Sequence, residues 1–412
     1  MLPYSVWVEL LRGFFAGVTV EAFLQLCGNL AVPIMRLLPE LSGTEPTAVS
    51  LESPQGRLQS TYPLASGPQV QILDALTQFF VRVSDRTPIL LVLDDFQWCD
   101  QASLDLLQYL SGSGFRSHPF LTLCAFRDTS LDVENPRLQR FLSDLPSSED
   151  LALTLHLDRF DSRGSAKLIQ SAFGSGGVNN EICEVLFRKS GGNPFFLMEM
   201  LRLLAEKGAM TKRSDGQWHL APNQVVDIPK SAKDIMRQRL ASLDSEALDL
   251  LRIGAFVGEE FDLELLEKIS RIDEKEPSLE KAVALGLIEE RVVKGSSAYR
   301  FSDEVVMEVL VEKLGLERQR NYHLKVAAAM EEVYAKTKDE HASALALHYQ
   351  MARNPHKCFE YSVRAGDNAS RVSAHRDSSK HFATAIDSLH EIGEGEGDET
   401  RARLLERLGH EQ

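Results

Sequence analysis

Hydrophobic and polar positions follow two different periodicities along the chain. Between about residues 88 and 190, short continuous apolar runs alternate with segments of helical spacing. Continuous apolar runs of this length are typical of strands buried on both faces of a parallel sheet. Strands are therefore predicted at PILLVLDD (88–95), PFLTLCAFRD (119–128) and LALTLHL (151–157). Because helical segments separate them, a layered α/β domain is expected.

Before the first apolar run, the pattern is helical. Apolar residues at helical spacing predict two helices within residues 4–38 and one helix at about 70–84. The segment 41–69 is rich in Ser, Pro, Gly and Thr, which predicts a long surface loop.

From about residue 193 the pattern is helical almost throughout. Alternation over residues 287–301 predicts a β-hairpin, and residues 217–220 predict a short strand. Because several short helices precede the hairpin, the arrangement is that of a winged-helix domain. Residues 316–392 predict helix after helix with alanines at packing positions, which favours stacked antiparallel pairs of the TPR-like repeat kind.

Composition and charge narrow the class of protein. The 412 residues are 43% hydrophobic and 25% charged, as in ordinary soluble globular proteins of several domains. A net charge of −15 argues against binding nucleic acid along the whole surface. The five scattered cysteines, without any CxxC pair, predict free thiols and a cytoplasmic location. No apolar run is long enough to predict a membrane span.

The first apolar run ends in two adjacent carboxylates, Asp94 and Asp95. In nucleotide hydrolases a buried strand delivers an acid at its carboxyl end, where the acid holds Mg²⁺ beside the phosphates. A second, adjacent acid can polarise the attacking water. The alternative is a strand followed by an Asp-initiated turn and a helix cap. The residues alone leave both interpretations open.

Arg127 follows the second apolar run. At the tip of a neighbouring strand, its guanidinium could reach a γ-phosphate. The alternative is a surface ion pair with Asp128 or Asp132.

Five segments occur in an order that resembles a known family. They are LVLDDFQWCDQASLDLL, CAFRDTSLD, KSGGNPFFLMEMLRLL, IPKSAKDIMRQRLASLDSEALDLLRIGAFVGEEFDLELL and AYRFSDEVVMEVL. Together they resemble the signal-transduction ATPases with numerous domains (STAND), an AAA-related class of P-loop ATPases. Members include large bacterial transcriptional regulators of the MalT/LuxR type, multidomain cyclases and proteins fused to kinases. The resemblance covers nearly the whole chain.

The resemblance implies a role for several residues. Asp94 would be the Walker B acid that coordinates Mg²⁺, Asp95 the water-polarising acid, and Arg127 the sensor arginine for the γ-phosphate. Gly192, Asn193 and Pro194 would form a nucleotide-binding turn, with Pro194 near the adenine ring. The residues themselves predict only that the glycines end one helix and that Asn193-Pro194 begins the next.

The sequence departs from the family at Phe301-Ser302-Asp303. The family pattern has a histidine where Ser302 stands, and that histidine is expected to touch the ADP phosphate in the resting state. Ser302 cannot supply an imidazole, although it could cap the next helix jointly with Asp303.

The phosphate-binding loop GxxxxGK[ST] is absent from the 412 residues. We expect the chain to be a fragment of a longer protein in preference to a degenerate family member. Since backbone amides and a lysine of that loop cradle the phosphates, we also expect weak ATP binding and negligible hydrolysis by this chain.

These expectations combine into one architecture and one function. The predicted fold is α/β followed by all-α, with a partial P-loop ATPase core (1–190), a helical lid and winged-helix region (191–314) and TPR-like repeats (315–412). The expected function is a nucleotide-dependent regulatory switch that uses ATP or ADP with Mg²⁺. The alternative is a non-enzymatic scaffold built on the repeats.

The expected partner is a protein or signalling ligand at the repeats. The resemblance also implies self-association. Direct DNA binding is not expected, because the winged-helix segment is mixed in charge and has no basic face.

Overall fold

The computed structural model describes twelve stretches of the chain: residues 3–16, 18–38, 67–112, 118–127, 135–144, 153–173, 178–212, 217–220, 230–270, 275–293, 296–393 and 397–411. They belong to two compact units. The first joins residues 1–153 to residues 334–412, and the second comprises residues 154–333. Within the described stretches, every helix is too short or too polar to span a lipid bilayer.

The first unit contains a small parallel sheet, the helices around it and a carboxyl-terminal helical array. Its elements are α1 (Ser5–Phe15), α2 (Val20–Cys27), α3 (Ala31–Met35), α4 (Pro68–Ser84), β1 (Ile89–Leu93), α5 (Gln101–Gly112), β2 (Phe120–Cys124), α6 (Pro136–Asp144), α16 (Ala342–Met351), α17 (Pro355–Arg371), α18 (His375–Ile392) and α19 (Gly397–Glu411). We call α16–α19 the helical array.

The sequence predicted two helices within residues 4–38, but the described residues of this segment form three, α1, α2 and α3. The prediction was wrong because Gly28 adopts a left-handed φ of 56° and ends α2, after which a single 3₁₀ turn leads into α3. The predicted loop at 41–69 falls mostly on residues 39–66, which lie outside the described residues, and α4 already begins at Pro68.

Strands β1 and β2 form the predicted parallel pair, in the register Ile89 with Phe120 through Leu93 with Cys124. One face of the pair packs inward, with Leu91 and Leu93 buried in the same core as Phe80. The other face is exposed. Its side chains are Leu90 (62% exposed), Val92 (56%), Leu121 (65%) and Leu123 (53%). The continuous apolar runs thus predicted a strand pair correctly, but burial of both faces is not observed in this structure.

The predicted third strand at 151–157 was wrong for the residues that the structure describes. Residues 153–157 carry no strand pairing, and Leu153, Leu155 and Leu157 are each largely exposed. A strand needs a hydrogen-bonded neighbour, which sequence pattern alone does not supply. Residues 151 and 152 lie outside the described residues.

The second unit is mainly helical and contains two small antiparallel sheets. Its elements are α7 (Ser162–Phe173), α8 (Asn180–Ser190), α9 (Pro194–Glu206), β3 (Met210–Lys212), β4 (Trp218–Leu220), α10 (Ala232–Leu240), α11 (Ser245–Val257), β5 (Glu260–Asp262), α12 (Leu263–Ile269), α13 (Lys275–Ala284), β6 (Ile288–Val293), β7 (Ser296–Phe301), α14 (Glu304–Glu312) and α15 (Leu316–Val333).

The predicted hairpin is present as β6 and β7, and β5 pairs with the outer side of β7 to give the order β5-β7-β6. Residues 294 and 295 of its turn lie outside the described residues. The short strand predicted at 217–220 is β4, which pairs with β3, a strand that the sequence pattern did not predict. One apolar core surrounds α11, α13 and the hairpin, and a second core joins α8, α9 and α10.

Polar side chains fix where many of these helices begin. The side chains that accept a hydrogen bond from a first-turn amide are Asn179, Asn193, Ser231, Asp244, Asp262 and Asp303. Such caps satisfy amides that have no partner inside the helix. The domain boundaries at 190/191 and 314/315 stay predictions.

Candidate functional site

The two acids lie in a tight turn at the carboxyl end of β1. Asp95 has a left-handed φ of 47°, which is uncommon for a residue with a side chain. A single 3₁₀ turn, Phe96–Trp98, follows it. The backbone amide of Phe96 donates to the carbonyl of Ala125 at 2.9 Å, just beyond the end of β2. We call residues 94–99 the acid-pair turn.

Gln97 connects the acid-pair turn to the tip of β2. Its side chain is 1% exposed, and its Nε2 donates to Oδ1 of Asp95 at 2.9 Å. Its Oε1 accepts from the backbone amide of Arg127 at 3.2 Å. Asn135 also donates through Nδ2 to the carbonyl of Gln97 at 3.3 Å. A buried amide therefore holds the acid and the arginine segment in one hydrogen-bonded arrangement.

The structure brings Arg127 and Asp95 together. Nε of Arg127 lies 4.0 Å from Oδ1 of Asp95, and both side chains are about half exposed (51% and 52%). An exposed pair of this kind is worth little as a stabilising contact. The alternative partners, Asp128 and Asp132, lie outside the described residues.

The donor chemistry of the acid pair fits a hard divalent cation. Asp94 and Asp95 are both exposed, and Oδ1 of Asp94 accepts the amide of Asp95 at 3.0 Å, which leaves Oδ2 of Asp94 available. Mg²⁺ is usually held by one or two carboxylates, several waters and substrate phosphates. Among the described residues, no cluster of three or more His, Cys, Asp or Glu side chains is arranged to hold a metal by itself.

Two cysteines, Cys99 within the turn and Cys124 at the end of β2, are not candidate nucleophiles. Burial raises the pKa of Cys99 to about 12 and that of Cys124 to about 11. Because the reactive form of cysteine is the thiolate, these thiols stay protonated and inert near neutral pH.

The Gly192-Asn193-Pro194 segment forms a tight turn between α8 and α9 in the second unit. Gly191 and Gly192 both have positive φ, 56° and 75°. The side chain of Asn193 accepts the amide of Phe196 at 3.2 Å, and Pro194 opens α9. The carbonyl of Gly192 accepts the amide of Phe160 at 2.9 Å, so the turn also fixes the extended segment before α7. The predicted capping geometry is therefore present, while contact with a nucleotide stays a prediction.

Ser302 does not cap α14, contrary to the joint cap considered from the sequence. Asp303 is the cap and accepts the amide of Val305 at 2.8 Å. The hydroxyl of Ser302 instead donates to the carbonyls of Gly286 and Leu287, at 2.8 and 3.1 Å. The hydroxyl of Ser302 is therefore used by the two carbonyls that follow α13 and does not accept a first-turn amide of α14. Ser302 therefore joins the start of α14 to the start of β6, and its role toward a nucleotide stays a prediction.

Two polar residues of the site were not predicted from the sequence. Gln97 was noted only as part of the segment that carries the resemblance, and Asn135 was not noted at all. A glutamine between two aromatic residues, Phe96 and Trp98, is a signal for a buried hydrogen-bonding role. Asn135 gives no comparable signal, because its partner lies 38 residues away in the chain.

Comparisons with known proteins bear on both units. Residues 2–123 match the family model described as the AAA ATPase domain. Residues 161–216 match a domain family of unknown function. No curated protein gives a significant match.

One similar solved structure is a STAND protein with a tetratricopeptide repeat sensor from Pyrococcus horikoshii. It is 13% identical, with a TM-score of 0.41, and the alignment covers 82% of this chain and 50% of that chain. The chain thus spans about half the length of that protein.

The AAA ATPase match includes α1–α5, β1 and the whole acid-pair turn. The match therefore supports the predicted AAA-related ancestry for residues 2–123.

Proposed function

We propose that the chain works as the switch region of a STAND-type regulatory ATPase. The observation that carries this proposal is the acid-pair turn, which lies at the carboxyl end of a parallel strand and is joined to Arg127 through buried Gln97. Ligands of α/β sheets bind at this edge, because strands of one direction present their loops there together.

Each residue has a distinct role in this proposal. The carboxylate of Asp94 would hold Mg²⁺, whose charge neutralises the phosphates of bound ATP. Asp95 would orient a water molecule by accepting its hydrogen bond, and Arg127 would exchange its contact with Asp95 for one with the γ-phosphate. In the second unit, Gly192, Asn193 and Pro194 would form a nucleotide-binding turn with Pro194 near the adenine ring, and Ser302 occupies the position of the family's histidine without supplying its imidazole.

The switch itself is part of the proposal. Occupancy by ATP or ADP would favour different packings of the helical regions, since a ligand shifts a conformational equilibrium only through different affinities for the two states. The winged-helix arrangement of α11–α14 with the hairpin would carry the change, and the TPR-like array would receive a protein partner or signalling ligand.

Nucleotide affinity is expected to be low because the sequence has no GxxxxGK[ST] loop. We therefore expect weak, Mg²⁺-dependent binding of a fluorescent ATP analogue, measured by anisotropy. Asp94→Asn should abolish the Mg²⁺ dependence, and Gln97→Ala should weaken binding by displacing Asp95. Asp387→Asn removes an exposed carboxylate of α18 and serves as the control.

Two results would contradict these expectations. Binding that is equal with and without Mg²⁺, or unchanged in Asp94→Asn, would refute the role of the acid pair. Steady MgATP hydrolysis that Asp94→Ala abolishes would refute the expected weakness, because it would require the phosphates to be held without the missing loop.

A scaffold function is the second candidate, and the array favours it through one exposed apolar pair. Leu347 and Met351 lie one turn apart on α16 and are 50% and 51% exposed. For a pure scaffold, replacing both by serine in the full chain should abolish partner capture, whereas Asp94→Asn should leave it unchanged. In a nucleotide-dependent switch, partner capture would require both the exposed pair Leu347 and Met351 and the acid Asp94.

A further inference from the structure

A corner of the helical array packs against the beginning of α5, the helix that follows the acid-pair turn. We call residues 369–378 the array corner; it includes the end of α17 and the start of α18. Ala369 and Ala374 are buried in the same apolar core as Tyr4 and Leu104. Ser373, between the two helices, is buried with a left-handed φ of 56°. Because non-glycine residues rarely adopt this conformation, surrounding packing must hold the corner in its present shape.

The array corner supplies a cap to α5 from far along the chain. Oδ2 of Asp377 accepts the amide of Ala102 at 3.3 Å, across 275 residues of sequence. The next amide, that of Ser103, donates to Oδ1 of Asp100 at 2.8 Å. First-turn amides have no partner inside their own helix, and a carboxylate there is favoured by the helix dipole. One local acid and one distant acid therefore share the amino terminus of α5.

An ion pair adds a second connection between the same elements. Nη1 of Arg376 lies 3.1 Å from Oδ1 of Asp105 on α5. The same oxygen accepts Nε2 of Gln101 at 3.1 Å. The array corner thus holds two successive turns of α5.

The connection continues without a break into the acid-pair turn. Asp100 follows Cys99 directly, is buried, and accepts the amides of Tyr4 and Ser5 at 2.8 and 2.9 Å. Adjacent amides of α5 donate to Asp377 and to Asp100, so the two carboxyl groups share one helix start, where burial and then the charge of Asp100 raise the pKa of Asp377. Movement of the array corner would therefore disturb Asp100 and, through it, the position of the turn that carries Asp94 and Asp95.

We propose that Asp377 and Arg376 are positioning residues for the acid-pair turn. The meaning of the turn rests on the proposed function, but the coupling is a property of the fold. It can therefore be tested without nucleotide, so that its failure is distinct from failure of the ATPase proposal.

The test is hydrogen–deuterium exchange with mass spectrometry on the full chain. In Asp377→Ala, amides of residues 95–106 should exchange about fivefold faster, the factor typical of losing one helix cap. Arg376→Ala removes a half-exposed ion pair and should accelerate the same amides by a smaller factor. Exchange in α12 should not change. Asp387→Ala, an exposed site on the same helix as Asp377, is the matched control and should behave like the wild type.

A reciprocal measurement separates coupling from local support. Because energetic coupling between two sites is mutual, Gln97→Ala should accelerate exchange over residues 371–378. If Asp377→Ala does not fold by circular dichroism, Arg376→Ala carries the test, since that side chain is 54% exposed. Unchanged exchange over 95–106 in a folded variant would overturn the proposal. Acceleration confined to the array corner, or spread equally over the whole chain, would overturn it as well.

Discussion

At the scale of single residues, close backbone approach explains why glycine stands in the turn before α9. A Cβ on Gly192 would lie 2.0 Å from the carbonyl oxygen of Phe160, which is inside contact distance for any pair of atoms. Because Gly192 has no side chain, that turn and the segment before α7 can pack in direct contact. The hydrogen bond from Phe160 to Gly192 depends on this approach.

We predict that Gly192→Ala destabilises the protein well beyond the backbone cost of its positive φ. Gly208 is the matched control, since its φ is 60° and nothing lies within 4 Å of its Cβ position. Gly208→Ala should cost about 1–2 kcal/mol. Gly192→Ala should cost at least about 2 kcal/mol more, through the clash. Urea unfolding followed by circular dichroism measures both, and equal losses would show that the backbone at Phe160 yields freely.

A partly buried histidine in the array, His381, predicts a pH dependence of stability. Burial, aided by the nearby positive charge of Lys380, lowers the pKa of His381 to about 4. In the unfolded chain a histidine titrates near 6.5. The unfolded state therefore takes up a proton first as pH falls, so the stabilising contribution is full above 6.5 and is lost between 6.5 and 4.

The wild type should lose about 2 kcal/mol more unfolding free energy than His381→Gln between pH 7 and pH 5. His390→Gln, an exposed histidine on the same helix, should follow the wild type. Denaturant unfolding at the two pH values gives the comparison. Parallel losses in the wild type and His381→Gln would contradict neutral burial of His381.

Residues of the site differ in how far the sequence could predict them. Asp94, Asp95 and Arg127 follow apolar runs, so their position at the sheet edge follows from strand pattern alone. The contact of Gln97 with Arg127 depends on how two strand tips meet, and the cap from Asp377 depends on the return of the chain after more than 270 residues. Local pattern contains no information on either contact.

At the scale of elements, the β1–β2 pair is exposed on one apolar face. Parallel sheets are ordinarily covered on both faces. The wrong prediction of a strand at 151–157 has a related cause. An apolar run indicates a tendency to be buried in a sheet, but it does not identify the neighbour with which the strand pairs. Hairpin β6–β7 was predictable, since its two strands are neighbours in sequence and a short turn fixes their register.

The exposed face should bind the hydrophobic dye ANS in the native protein. Exposed apolar patches attract such ligands, so Val92→Thr with Leu121→Thr should lower dye fluorescence by about twofold. Threonine has the β-branched shape that strands favour, which preserves the pair. Leu405→Ser removes an exposed leucine of α19 and should have little effect. Unchanged fluorescence in the double variant would place the dye elsewhere.

At the scale of the whole molecule, the chain forms two compact units with separate apolar cores. The first unit is discontinuous in sequence, since the array packs with the segment that matches the AAA ATPase domain, as its shared core shows. The second unit contains a buried ion pair between two of its helices. Nη1 of Arg239 on α10 lies 2.5 Å from Oε2 of Glu199 on α9, and the arginine side chain is 4% exposed.

Units with their own cores can unfold in separate steps, so calorimetry should resolve two transitions. Arg239→Met leaves Glu199 buried without its cation. It should lower only the unfolding free energy of the second unit, by about 3–5 kcal/mol. Adding Glu199→Leu removes the unpaired charge and should restore most of that loss.

Arg291→Met, at a half-exposed arginine of β6, is the control in the same unit. Trp218 in the second unit and Trp7 and Trp98 in the first identify each transition by fluorescence. A single transition that shifts as a whole in Arg239→Met would show that the two units unfold cooperatively.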